Sequence, residues 1–151
     1  MLQETNISAE PLLSPEVEAM RMACAAGLTG GNLALALLEQ SEDCIKLLTL
    51  QGELDYMNCG GLRAMEISDF GEVKGQPWWS LWPQEHRDLV RESFNRAVSG
   101  HERHFTADCP TAAGTPRRWS VHLKPLVAPA GPVVAVLCTS RDITGIAQLA
   151  A

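Results

Sequence analysis

The sequence predicts an α+β domain: a five-stranded antiparallel sheet flanked by helices, with an N-terminal helical extension. Three observations carry that prediction. Two short alternating apolar runs meet at a Gly-containing turn within 44–58, an amphipathic helical pattern covers 83–98, and three further strand-like runs separated by Pro/Gly turns occupy the remainder. At 151 residues, with 46% hydrophobic and 20% charged, the chain is sized for one hydrophobic core.

The opening MLQETNISAE is polar, and Ser14 followed by Pro15 supplies an N-cap and a favourable first helical residue. Val17, Met20, Cys24 and Leu28 then recur at spacings of three and four as a narrow apolar stripe, which Gly30 and Gly31 break. The stripe lies outside the sheet-forming part of the chain, so it is the expected dimerisation surface of a homodimer. Asn32 is the expected cap of a second helix over 33–38, apolar on most sides and therefore expected to be buried.

From Cys44, Ile45, Leu47 and Leu48 run to a turn at Gln51 and Gly52, and Leu54, Tyr56 and Asn58 alternate on the returning strand. The mixed stretch 60–76 reads as short helical turns leading into the aromatic cluster PWWSLWP. In the helix over 83–98, Val90, Phe94, Ala97 and Val98 share one face, the charges of PQEHRDLVRES form a solvated one, and Gly100 is the stop. Strands follow over 101–109, 117–127 and 133–140, divided by PTAAGTP and APAGP. The expected division is an extension over 1–31, the domain over 32–144 and a tail over 145–151.

Composition narrows the function. Eighteen acidic against twelve basic residues give a net charge of −6, which opposes binding to a phosphate backbone, so no nucleic-acid partner is expected. No apolar run approaches a membrane span and the opening lacks a signal-peptide layout, so a cytoplasmic protein without a membrane partner is expected. The scattered Cys24, Cys44, Cys59, Cys109 and Cys138 contain no CxxC pair and read as reduced, mostly buried thiols. His101 and His104 point to opposite faces of one strand, which leaves only His104 and His122 to converge, too few ligands for a metal. With no nucleophile elbow, HExxH or phosphate loop, no enzymatic activity is expected.

Three segments in order resemble the PAS sensor domains over roughly residues 35–144. LLEQSEDCIKLLTLQGELDYMN is similar to their leading helix and first hairpin with its closing Asn58; VKGQPWWSLWP to the Gly-to-Pro segment before the long helix; and SRDIT to the closing motif Asp142, Ile143, Thr144. The family's usual Asp near Thr49 is missing, a departure confined to the turn. The resemblance implies a sensory or regulatory domain of signal transduction, of the kind found in two-component systems. Its curved sheet and helices enclose a pocket, and its signal leaves through terminal helices to a protein effector such as a histidine kinase. Only GIAQLAA follows Thr144, so the effector is expected on a separate protein or elsewhere on a longer chain.

Within that pocket, alternation puts Trp119, Val121 and Leu123 on one face of the fourth strand and Phe105, Ala107 and Cys109 on one face of the third. On the last strand Val134, Val136, Cys138 and Ser140 form one set and Val133, Ala135 and Leu137 another, and alternation does not choose between them. The candidate ligand-binding residues are Tyr56, Asn58, Trp78, Trp82, Phe94, Phe105, Trp119, Val121, Cys138 and Ser140, around an expected cavity of roughly several hundred Å³. Arg141 and Asp142, where the chain leaves the sheet, are the candidate signal exit.

Flavin sensors of the family carry an Asn-Cys-Arg motif and a Gln near the final Asp. Here Trp78 fills the Cys position and Ser140 the Gln position, which disfavours a covalent flavin adduct and leaves non-covalent flavin or another small metabolite. Haem is disfavoured because His86 lies a turn before the family's ligand position, which falls near Val90. If Trp78, Trp79, Trp82 and Trp119 are only core, the domain is instead a ligand-free dimerisation and docking module.

Overall fold

The structure, a computed structural model, describes residues 15, 18, 21, 27 and 29–149. The chain divides into two compact units between Leu37 and Leu38. In the first, Pro15, Glu18 and Arg21 are helical and Gly27 lies in a turn; Val17, Met20, Cys24 and Leu28, the expected dimerisation stripe, lie outside the described residues. Helix α1 (Gly30–Gln40) corrects two expectations. The two glycines lie in its first turn, and the Thr29 hydroxyl accepts the Asn32 amide at 3.0 Å and caps that turn in place of Asn32. No residue of α1 is fully buried, although its apolar circumference predicted burial.

The second unit holds the sheet: β1 (Cys44–Leu48), β2 (Leu54–Met57), β3 (Arg103–Asp108), β4 (Arg118–Val127) and β5 (Val133–Asp142), ordered β2-β1-β5-β4-β3 with every neighbour antiparallel. Helices α2 (Cys59–Ala64), α3 (Arg87–Val98) and α4 (Thr144–Leu149), with single 3-10 turns at Phe70–Glu72, Trp78–Leu81 and Gln84–His86, complete it. The expected helix over 83–98 becomes α-helical only at Arg87, since the chain after Pro83 first makes the tighter turn. Strand β5 runs on to Asp142 through its pairing with Trp119, and most of the expected tail is helical as α4. Among the described residues no helix is long and apolar enough to cross a membrane.

One sheet face is covered by the segment from α2 to α3. Cys44 and Leu48 of β1, Trp119, Val121 and Leu123 of β4, Val136 and Cys138 of β5, and Val90, Phe94 and Ala97 of α3 are buried there. The register sets Val121 opposite Ser140 and Leu123 opposite Cys138, which decides the open question on β5 in favour of Val136, Cys138 and Ser140. Val134, grouped with them by alternation, is 52% exposed.

A single side chain joins the first hairpin to the helices on either side of it. Asn58 is fully buried; its Oδ1 accepts the amides of Ile45 and Gly61 at 2.9 Å, and its Nδ2 donates to the carbonyls of Leu38 at 2.8 Å and Asp43 at 3.0 Å. It therefore caps α2 and ties the end of α1 to the start of β1. Close backbone approach here demands glycine, because a Cβ on Gly60 would meet the Ser41 carbonyl. Asn58→Ala strips a helix cap and leaves buried backbone groups unpaired, and is expected to cost about 3 kcal/mol. Urea unfolding measures it; a loss below about 1 kcal/mol would mean that water restores the missing bonds.

Candidate functional site

The wall facing the sheet is aromatic because residues 75–78 are stitched to β2. The Gly75 amide donates to the Leu54 carbonyl at 2.8 Å, the Leu54 amide to Gln76 at 3.0 Å and the Trp78 amide to Gly52 at 2.9 Å. Gly52 has φ +82°, and a Cβ on it would run into the Trp79 ring, so only glycine serves at this turn. The stitching drives Trp78 into the core beside Trp82, edge to face at 6.1 Å, and Phe105 packs on both rings at 6.3 and 5.7 Å. Trp79 takes the other side, against Phe94 at 5.7 Å and under the Arg91 guanidinium at 5.2 Å. Arg87 holds the segment by donating to the Trp82 carbonyl at 3.0 Å.

These side chains leave an internal cavity of about 20 Å³, bounded by Met57, Met65, Trp78, Trp82, Trp119 and Ser140, among others. That is room for about one water molecule, so the expected cavity of several hundred Å³ is not present in this conformation. The wall consumes the volume: Trp78 and Trp119 are the largest fully buried side chains, and both border what remains.

The polar centre of this interior is a residue that the sequence did not single out. Lys46 is 5% exposed, points inward between Cys44 and Leu48, and borders the cavity. Its Nζ donates to the Cys44 sulfur at 3.0 Å and to the Ser140 hydroxyl at 3.1 Å. Burial opposes its charge, and negative charge on Cys44, Cys138 and Cys109 would raise its pKa in compensation. Burial also pushes Cys109 up to about 11 and pushes Cys138 up, so near neutral pH those two are thiols and supply no such charge. Burial is thus set against the Cys44 sulfur 3.0 Å away, and the balance holds the Lys46 pKa above the ordinary lysine value. Alternation could not have found it, since a lysine between apolar neighbours on a strand reads as the solvent-facing set.

Of the ten residues expected to bind ligand, Trp78, Trp82, Trp119 and Ser140 border the cavity, joined by Lys46, Met57, Met65, Leu81 and Cys109. Phe105, Phe94, Val121 and Cys138 are core residues behind or beside it. Asn58 and Tyr56 do not border it: the Asn58 amide is committed to backbone, and the Tyr56 hydroxyl donates to Glu39 at 2.9 Å.

At the exit, Arg141 and Asp142 are both committed to partners within the domain. Arg141 forks onto Asp43 at 3.1 and 3.3 Å, whereas Asp142 pairs with Arg117 at 3.2 Å and accepts the Thr144 amide at 2.9 Å, capping α4. The Thr144 hydroxyl in turn accepts the Arg118 amide at 2.8 Å. Beside this clamp lies an open groove of about 700 Å³, bordered by Pro83, His86, Asp108, Pro110, Arg117 and Thr144. It is an open surface feature with mixed charge.

Neither cofactor of the resemblance fits these residues. Trp78 occupies the place of an adduct-forming thiol, and the cavity is too small for an isoalloxazine ring; His86 borders the surface groove rather than the interior, so no histidine reaches the cavity. His104 and His122 stack at 4.1 Å on the opposite face of the sheet, and no group of three metal-ligating side chains occurs among the described residues.

Comparison with known proteins agrees with this architecture. The model of the family described as PAS fold matches residues 38–147. A PAS domain from Colwellia psychrerythraea is similar in structure, with TM-score 0.66, 20% identity, and coverage of 75% of this chain and 96% of that one. The PAS domain of an HTR-like protein from Haloarcula marismortui gives 0.62, 21%, 85% and 99%. A domain of a sensory box sensor histidine kinase/response regulator from Geobacter sulfurreducens gives 0.63, 20%, 74% and 93%. No curated protein matches significantly in sequence.

The site's titration has a readable consequence. Burial raises Cys109 from 9.0 to about 11, and burial followed by the Glu39 hydrogen bond raises Tyr56 from 10.0 to about 12. Unfolding lets both groups ionise earlier, so the unfolded chain holds fewer protons across this range and stability falls as pH rises from about 9 towards 12. Melting temperature measured against pH should decline there, and Cys109→Ala should flatten the lower part of the decline. An unchanged slope in that variant would show that Cys109 is not a contributor.

Proposed function

Because the chain belongs to the PAS fold family over residues 38–147, we propose that this signal-transduction sensory fold takes a small ligand between its sheet and aromatic wall and passes the result out along β5. The observation that carries the reading is the position of Ser140. Its hydroxyl accepts the buried Lys46 ammonium at the cavity, and the next two residues, Arg141 and Asp142, hold the α1–β1 connection and the start of α4. A change at Ser140 thus reaches the exit clamp through two peptide units of one strand. We extend the reading to a homodimer through Val17, Met20, Cys24 and Leu28, with a protein effector such as a histidine kinase; the similar Geobacter sulfurreducens domain comes from a sensor histidine kinase/response regulator. Free thiols at Cys44, Cys109 and Cys138 suit a reducing compartment.

A second reading, a ligand-free dimerisation and docking module, is favoured by the 20 Å³ cavity. Two measurements on the full chain separate them. Native mass spectrometry should find a non-covalently bound small molecule if the first is right, and a bare chain or dimer if the second is. Amide exchange tests the route: Ser140→Ala, which removes no contact of α4, should speed exchange at Ile143 and Thr144. Asp142→Ala should do so more strongly, at a stability cost of about 1 kcal/mol. Protected, unaltered α4 amides in Ser140→Ala would remove β5 as the signal path.

A further inference from the structure

The interior lysine is more informative than the volume beside it. Lys46 carries three donors and spends two of them on the Cys44 sulfur and the Ser140 hydroxyl. Among the described residues, no carboxylate forms an ion pair with it, and none borders the cavity at which it lies. Buried cations are ordinarily paired, because leaving water costs several kcal/mol per ion and only an opposite charge or a full set of hydrogen bonds returns that energy. Here no carboxylate faces the ammonium and its third donor has no partner, while Met57, Met65, Trp78, Trp82 and Trp119 make up most of the surroundings.

We propose that the missing counter-charge is a ligand: a small apolar monocarboxylate whose carboxylate takes the third Lys46 donor and the Ser140 hydroxyl, and whose hydrocarbon part lies against the tryptophans and methionines. The proposal rests on the ligand-binding reading above and names the chemical class for it. A carboxylate matches the site on three counts. It brings one negative charge to one cation, it accepts from both available donors, and it needs no further polar partner from a wall that has none to offer. A phosphate or dicarboxylate would bury charge that nothing here neutralises. Space comes from the half-buried Met65 and Leu81, which stand at the wall between α2 and the tryptophan turn. Methionine is adaptable, and the 3-10 turn at Trp78–Leu81 is a short element, so the wall can yield while the sheet does not.

Butyrate, its neutral isostere butyramide and sulfate, at matched ionic strength, test this on the full chain by melting temperature and by tryptophan fluorescence, to which Trp78, Trp79, Trp82 and Trp119 all contribute. Butyrate is expected to raise the melting temperature and change the emission saturably. Butyramide and sulfate should bind weaker by about tenfold or more, the loss expected for one charged hydrogen bond. Lys46→Met should fold, and its butyrate response should fall by a similar factor; Ser140→Ala, which keeps the cation, should weaken butyrate by less. If Lys46→Met fails to fold, the comparison of butyrate with butyramide on the natural sequence still decides. Equal responses to acid and amide, or a butyrate response retained in Lys46→Met, overturn the carboxylate but leave a ligand-binding interior. If neither probe moves either signal and native mass spectrometry shows a bare chain, both the carboxylate and the ligand-binding reading fall, and Lys46 is a buried structural cation.

Discussion

Asn58 is the constraint on which the rest of the domain depends. A hairpin of two short strands is marginal alone, and β1 and β2 have only five and four residues. By accepting the Ile45 amide with its side chain while donating its own amide to the Ile45 carbonyl at 3.0 Å, Asn58 extends the pairing past the end of β2. Its remaining bonds set where α1 ends and α2 begins. The orientation of β1 follows, and with it the inward direction of Cys44, Lys46 and Leu48.

Given that orientation, the interior is a contest between aromatic bulk and one cation. Stitching of residues 75–78 to β2 commits Trp78 to the core, and the T-shaped contact with Trp82 and the packing of Phe105 leave space for little more than a water. A core made of apolar side chains alone would be more stable than one holding an ammonium with no carboxylate beside it. Lys46 is therefore a local conflict between packing and charge, and such conflicts mark functional positions more often than structural ones.

Strand β5 connects this conflict to the outside. It lies at the centre of the sheet, flanked by β1 and β4, so its inward residues meet the cavity while its end is clamped through Arg141 to Asp43 and through Asp142 to Arg117 and Thr144. A central strand is the stiffest path available in a sheet of this size. The stacked histidine pair lies on the opposite face of the sheet, and the open groove near Pro83 meets the interior at Cys109 and the clamp at Arg117 and Thr144.

The order of the elements, the two-strand start, the long helix with Val90, Phe94 and Ala97 on its buried face, and the three closing strands were all legible from the sequence. Each rests on a local period or a turn residue that a single chain carries. The closing Asp142–Thr144 motif and Asn58 were also legible as positions, though not as the helix cap and hairpin clamp they prove to be. Tertiary structure alone decided three things. It chose the inward set on β5, because both sets are apolar and only the register with Val121 and Leu123 separates them. It turned Lys46 inward, against the rule that strand lysines face water. Finally, it set the cavity at about 20 Å³, since volume is what remains after Trp78, Trp82, Trp119 and Phe105 have packed against one another, and no residue taken singly specifies that remainder.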